Sequence, residues 1–88
     1  MRPIEWLLDI TTTRDGYERL MREAGGLCQA AWRLAQAQCM TRGVATHVPS
    51  GVEVRSAASR LARHLGLEHT PSSHELRLQC EALGLPVL

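Results

Sequence analysis

Apolar residues recur at helical spacing along most of this chain. In the stretch that begins near Thr13 or Arg14, they occupy positions i, i+3, i+4 and i+7, which form one face of an amphipathic helix. These positions are Tyr17, Leu20, Met21 and Ala24. The pattern predicts a helix over this stretch.

The same period predicts four further helices. A short one starts at Pro3, a residue that suits a first helical turn. The other three cover 27–40, 52–65 and 73–83. Arg42-Gly43, Gly66 and Gly84 follow them, as expected at helix ends.

Three helix-start signatures support these boundaries. Each places a hydroxyl three residues before a carboxylate, so that side chain and backbone can cap one another. The pairs are Thr12 with Asp15, Ser50 with Glu53, and Ser72 with Glu75. Asp15 with Glu18 is a competing cap for the first of these helices.

The sequence does not decide whether the helix is interrupted at Gly25-Gly26. Two glycines in a helix interior cost about 2 kcal/mol relative to alanine, which favours a break or kink. The alternative is one long helix from Arg14 to about Thr41, with the glycines at a close helix crossing.

Composition supports an all-α fold. The chain has 88 residues, no Phe, one Tyr and two Trp, so its core must rely on Leu and Ala, which favour helices. We predict one small domain of four to five short helices. It comprises N-terminal helices over 1–42, a linker over 43–51, and a helix-turn-helix-like C-terminal hairpin over 52–88.

Charge adds little to this prediction. The net charge is +1, whereas a dedicated nucleic-acid binder usually carries a basic excess. All ten cationic residues are arginine, most simply because the genome is GC-rich. No stretch has the length of a membrane span or the layout of a signal peptide, so we expect a cytoplasmic protein without a membrane partner.

Two predicted helices each carry two apolar lines. In the helix over 27–40 they are Leu27, Ala31 and Leu34 beside Cys28, Trp32, Ala35 and Cys39. In the helix over 73–83 they are Leu76, Cys80 and Leu83 beside Leu78, Ala82 and Leu85. This surplus favours a partner protein or a homodimer, with a thick single core as the alternative. The predicted partner anchors are Trp6, Trp32, Leu78 and Leu85.

The C-terminal hairpin also supports a second hypothesis, DNA binding. In a helix-turn-helix unit, the start of the second helix reaches base edges and flanking cations contact phosphates. The corresponding residues are Arg55, Arg60, Arg63, Ser73, His74 and Arg77. Against this hypothesis, the loop over 67–71 is longer than the tight turn of such a unit.

Candidate chemistry is sparse. The chain has no motif for a catalytic nucleophile, a phosphate loop or a zinc protease, so we predict no catalytic residues and no cofactor. Cys28 and Cys39 would lie about 16 Å apart on one helix, too far to share a metal or a disulfide. The histidines at 64, 69 and 74 do not stack as ligands, and we predict no metal site.

The sequence thus favours a non-catalytic helical protein–protein interaction module that acts as an adaptor, inhibitor or regulator. The alternative is a DNA-binding regulator that uses residues 52–85.

Overall fold

The computed structural model describes residues 13–41 and 48–88, which form four α-helices. These are α1 (Arg14–Ala24), α2 (Leu27–Thr41), α3 (Gly51–Leu65) and α4 (Ser73–Ala82). The described residues contain no strand, so the predicted all-α bundle is confirmed. The short helix predicted at Pro3 and the helix end predicted at Arg42-Gly43 lie outside the described residues.

The helix caps follow local chemistry. At α3, the Ser50 hydroxyl accepts from the Glu53 N–H and the Glu53 carboxylate accepts from the Ser50 N–H, both at 3.2 Å. At α4, Ser72 accepts from the Glu75 N–H at 3.1 Å. Both predicted N-caps are thus confirmed, and they set where the two C-terminal helices begin. The full reciprocal capping box forms at α3, whereas the cap at α4 consists of the Ser72 hydroxyl.

The cap predicted for α1 was wrong by one residue. Thr13, not Thr12, is the N-cap, and its hydroxyl accepts from the Gly16 N–H at 3.2 Å. Adjacent threonines offer equivalent hydroxyls, so spacing to Asp15 does not select among them.

The predicted break at the two glycines is confirmed. Gly25 has φ +91°, in the left-handed region, and its N–H bonds to the Met21 carbonyl at 3.1 Å. Gly26 follows with φ +148°, also outside the range that L side chains favour. α1 therefore ends in a tight turn, and α2 starts as a separate helix.

α2, like α3, packs against all three of the other described helices. Both of its apolar lines are used, because neighbours cover it from several sides. Its buried residues are Ala30, Ala31, Trp32, Leu34, Ala35, Ala37 and Cys39. The surplus surface predicted for this helix was therefore wrong for most of its length. The core buries both lines from Ala31 onward, and Leu27 and Cys28 in the first turn are half-buried against it.

The connection between α3 and α4 returns the chain to the start of α3. A Cβ placed on Gly51 would lie 3.5 Å from both the Ser73 carbonyl oxygen and a terminal nitrogen of Arg77. The first turns of α3 and α4 therefore lie side by side. In a helix-turn-helix unit, a short turn of three to four residues separates the two helices, whereas residues 66–72 form a longer return here.

The segment after α4 fastens several elements together. The Trp32 indole N–H donates to the Pro86 carbonyl at 2.7 Å, and the Leu88 N–H donates to the Pro49 carbonyl at 2.9 Å. Leu85 and Val87 pack against the core. Residues 85–88 thus connect α2 to the chain that enters α3.

Tyr17 carries a buried polar atom whose removal should stabilise the protein. The side chain is fully buried, and its hydroxyl has no hydrogen-bond partner among the described residues. A buried unsatisfied group costs about 1–3 kcal/mol, so we expect Tyr17→Phe to raise the free energy of unfolding by about 1 kcal/mol. Urea denaturation at constant m-value measures the change. Tyr17→Leu, which also loses the ring, should lower stability. A loss in the Phe variant would show that the hydroxyl is satisfied in solution.

Candidate functional site

The six residues predicted to contact DNA line one continuous surface. Arg55, Arg60 and Arg63 line a depression along α3 with Val52, Ser56 and Ser59. Ser73, His74 and Arg77 line a second depression with Ser50, Gly51 and Val52. Val52 borders both, so the two depressions adjoin. We call the surface formed by these eleven residues the arginine surface.

Amphipathic spacing explains how α3 presents its part of this surface. The opposite face of α3 is buried through Val54, Ala57, Ala58 and Leu61. Arg55, Ser59 and Arg63 follow one another at intervals of four residues along the exposed side. At 1.5 Å per residue, the backbones of Arg55 and Arg63 are about 12 Å apart. α4 adds Arg77, one turn after Ser73, beside the start of α3.

The arginine surface carries positive charge that no Asp or Glu side chain of the described residues neutralises. On α1, Arg14 and Arg19 pair with Glu18 and Glu23 at 3.0 and 3.3 Å. Within residues 13–41 and 48–88, no such ion pair involves the four arginines of the surface, and neither depression is lined by a carboxylate. The surface is therefore suited to an anionic ligand, although the whole chain is nearly neutral.

Arg60 is positioned by an aromatic contact that the sequence did not indicate. Its guanidinium carbon lies 5.8 Å from the centroid of the Tyr17 ring, within the range of a cation–π interaction. The His64 ring stacks on the same tyrosine, with centroids 4.4 Å apart and an angle of 15° between the planes. The contact joins α1 to α3, and no local spacing rule relates residues so distant in sequence.

Arg77 has a neighbour at the other end of the surface. Its guanidinium donates a hydrogen bond to the backbone oxygen of Leu88. The side chain is thereby held beside Gly51, where the first turns of α3 and α4 meet. Residues 85–88 consequently help to shape this edge of the arginine surface.

The predicted partner anchors are distributed differently. Trp32 is only 9% exposed and is part of the core, and Leu85 is half-buried against it. Leu78 is 52% exposed on α4, and Trp6 lies outside the described residues. Trp32 therefore presents little surface to a partner, because the fold uses its ring and its N–H internally.

No protein-family model, curated protein or solved structure matches this chain. The arginine surface is therefore the main basis for a functional proposal. None of the helices in the described ranges is both long and apolar enough to cross a membrane. In the same ranges, no three His, Cys, Asp or Glu side chains group as metal ligands.

Two of the contacts between helices are made by cysteine side chains. Cys39 donates to the Glu53 carboxylate at 2.9 Å, which ties α2 to the first turn of α3. The sulfurs of Cys28 and Cys80 lie 3.3 Å apart between α2 and α4. Burial raises the pKa of the Cys80 thiol to about 12, and its hydrogen bond with Cys28 adds to the rise. The sequence did not indicate this pairing of Cys28 with Cys80.

Proposed function

We propose that this chain is a non-catalytic helical module that binds another protein through the arginine surface. The observation that supports the proposal is the group of unneutralised arginines around the exposed side chain of Val52. The ligand is an acidic segment or patch of the partner. An adaptor, an inhibitor or a regulator would each act through such a contact.

The residue types of the surface favour a protein ligand. Val52 is 73% exposed, so it offers an apolar contact at the point where the two depressions meet. Arginine is enriched at protein interfaces, and its planar guanidinium binds carboxylates through two parallel hydrogen bonds. An apolar centre with cations around it matches a partner that combines acidic and apolar side chains.

Overall charge and helix placement favour a protein over DNA. A net charge of +1 provides little long-range attraction to a polyanion. The first turn of α4 also lies beside α3 rather than beyond its end, as the approach of Ser73 to Gly51 indicates. That position differs from the projecting recognition helix of a helix-turn-helix unit.

Charge reversal on the arginine surface tests the proposal directly. We expect Arg55→Glu with Arg63→Glu to weaken binding of a fluorescent oligoglutamate peptide at least about tenfold, because attraction becomes repulsion. The same loss is expected for a partner recovered by crosslinking in native cells. Fluorescence anisotropy measures the peptide affinity, and circular dichroism checks that helicity is retained.

A matched control variant distinguishes binding at the arginine surface from a general effect of net charge. Arg22→Glu with Arg33→Glu makes the same change in net charge at exposed positions outside the arginine surface. Affinity should remain near the wild-type value in this variant. Equal losses in both double variants would contradict a specific surface, and self-association that depends on Arg55 and Arg63 would identify a second copy as the partner.

DNA binding remains the second candidate, because Ser73 and His74 at the start of α4 join the four arginines on one surface. If four arginines contact phosphates, the logarithm of duplex affinity should fall with the logarithm of salt concentration with a slope of about −4. Such a slope, without binding to oligoglutamate, would assign the surface to DNA. The absence of binding to either probe would contradict an anion-binding role.

A further inference from the structure

Cys28 and Cys80 form a close sulfur pair in the core. Their sulfur atoms are 3.3 Å apart, although the residues are 52 positions apart in sequence. A disulfide bond is about 2.05 Å long, so the sulfurs would need to approach by about 1.3 Å. Side-chain rotation in two packed helices can supply a movement of this size.

The two thiols differ in their access to solvent. Cys80 is fully buried, whereas Cys28, at the second residue of α2, is half-buried. Burial raises the pKa of the Cys80 thiol to about 12, so Cys80 supplies very little of the thiolate that attacks a peroxide. Cys28 is therefore the sulfur that a small oxidant reaches first. Cys80 is the neighbouring thiol that can then react with the oxidised Cys28.

We propose that Cys28 and Cys80 are a modification site at which a hydroperoxide forms an intramolecular disulfide that fastens α4 to α2. The inference is independent of the ligand of the arginine surface. It concerns how firmly α4, which carries Ser73, His74 and Arg77, is attached to α2.

The reaction balances in two steps. The Cys28 sulfur attacks the terminal, hydroxyl-bearing oxygen of the peroxide, and the O–O bond breaks. Cys28 becomes a sulfenic acid, and the departing oxygen takes the Cys28 thiol proton and leaves as an alcohol, or as water in the case of hydrogen peroxide. The Cys80 sulfur then attacks the Cys28 sulfur, and the hydroxyl leaves with the Cys80 proton as water. Two thiols lose two electrons in total, and one hydroperoxide accepts them.

The third cysteine does not compete in this reaction. Cys39 is buried, and its thiol is hydrogen-bonded to Glu53 at the start of α3. It lies on α2 about 16 Å from Cys28, well beyond disulfide reach. The bridge should therefore leave one free thiol in the intact protein.

Hydrogen peroxide is the probe for the test. Oxidation of the folded protein should reduce the number of free thiols from three to one, and dithiothreitol should restore all three. After digestion with trypsin without reduction, mass spectrometry should find peptide 23–33 joined to peptide 78–88. The melting temperature should rise by on the order of 10 °C, because the bond closes a long loop.

Two variants, each with a single cysteine replaced, should behave differently in this test. Cys39→Ala should form the same linked peptides, whereas Cys28→Ser should form none and should show no rise in melting temperature on oxidation. Linkage of 23–33 to 34–42, disulfide-linked dimers, or an unlinked peptide 23–33 carrying sulfinic acid would each overturn the proposal. So would a bridged protein that melts below the reduced one.

Discussion

Leu76→Ala is expected to lower the free energy of unfolding by about 3 kcal/mol, because it empties part of the core. Leu76 is fully buried on α4, whereas Leu78, two residues later on the same helix, is 52% exposed. Leu78→Ala should therefore change stability by less than about 1 kcal/mol. Urea denaturation of the two variants compares identical chemical changes on opposite sides of one helix.

The pair also tests how α4 is rotated against the bundle. If α4 presented its other apolar line to the core, the two losses would be reversed. Nearly equal losses would contradict the described packing, since they would require both leucines to be buried to the same degree. The urea midpoints of the two variants, at an unchanged m-value, give the difference between their stability losses.

Trp32→Ala is the second substitution with a large expected effect. It should lower the free energy of unfolding by about 3–5 kcal/mol. The indole is buried within α2, and its N–H donates to the Pro86 carbonyl at 2.7 Å. Removing it should both open a cavity and detach residues 85–88. Thermal unfolding measures the destabilisation caused by the cavity. Hydrogen exchange at the Leu88 amide, which bonds to the Pro49 carbonyl, measures the detachment of residues 85–88.

Trp32→Phe separates the two contributions. This variant keeps an aromatic ring but removes the N–H donor. Its free energy of unfolding should therefore fall clearly less than that of Trp32→Ala. The Leu88 amide should still exchange faster than in the wild-type protein. Unchanged exchange in both variants would show that residues 85–88 are held independently of the indole.

Sequence reasoning succeeded where structure depends on neighbouring residues. The Ser50 and Ser72 caps, the Gly25-Gly26 break and the helical period all arise from interactions within a few positions. Such interactions are encoded locally and can be read without knowledge of the rest of the fold. Thr12 was predicted in place of Thr13 because adjacent hydroxyls can perform the same function.

Features that depend on packing could not be predicted in this way. Cys28 meets Cys80, and Tyr17 meets His64, only because α2 and α1 lie against distant helices. The two apolar lines of α2 looked like surplus surface because their count does not reveal that three helices surround it. Six residues of the arginine surface were predicted as DNA contacts, but Val52 and the other lining residues were not. The meeting of the two depressions at Val52 depends on the return of residues 66–72.

Arg60 belongs to two environments at once: it borders the exposed depression on α3, and it lies over the Tyr17 ring. An anion that draws this guanidinium outward would remove a cation from the aromatic stack. The electric field at the neighbouring His64 ring would then change, and the chemical shifts of its protons would change with it, even in a complex that makes no contact with α1. Magnetic resonance of this one exposed imidazole would thus report whether an anion occupies the depression on α3.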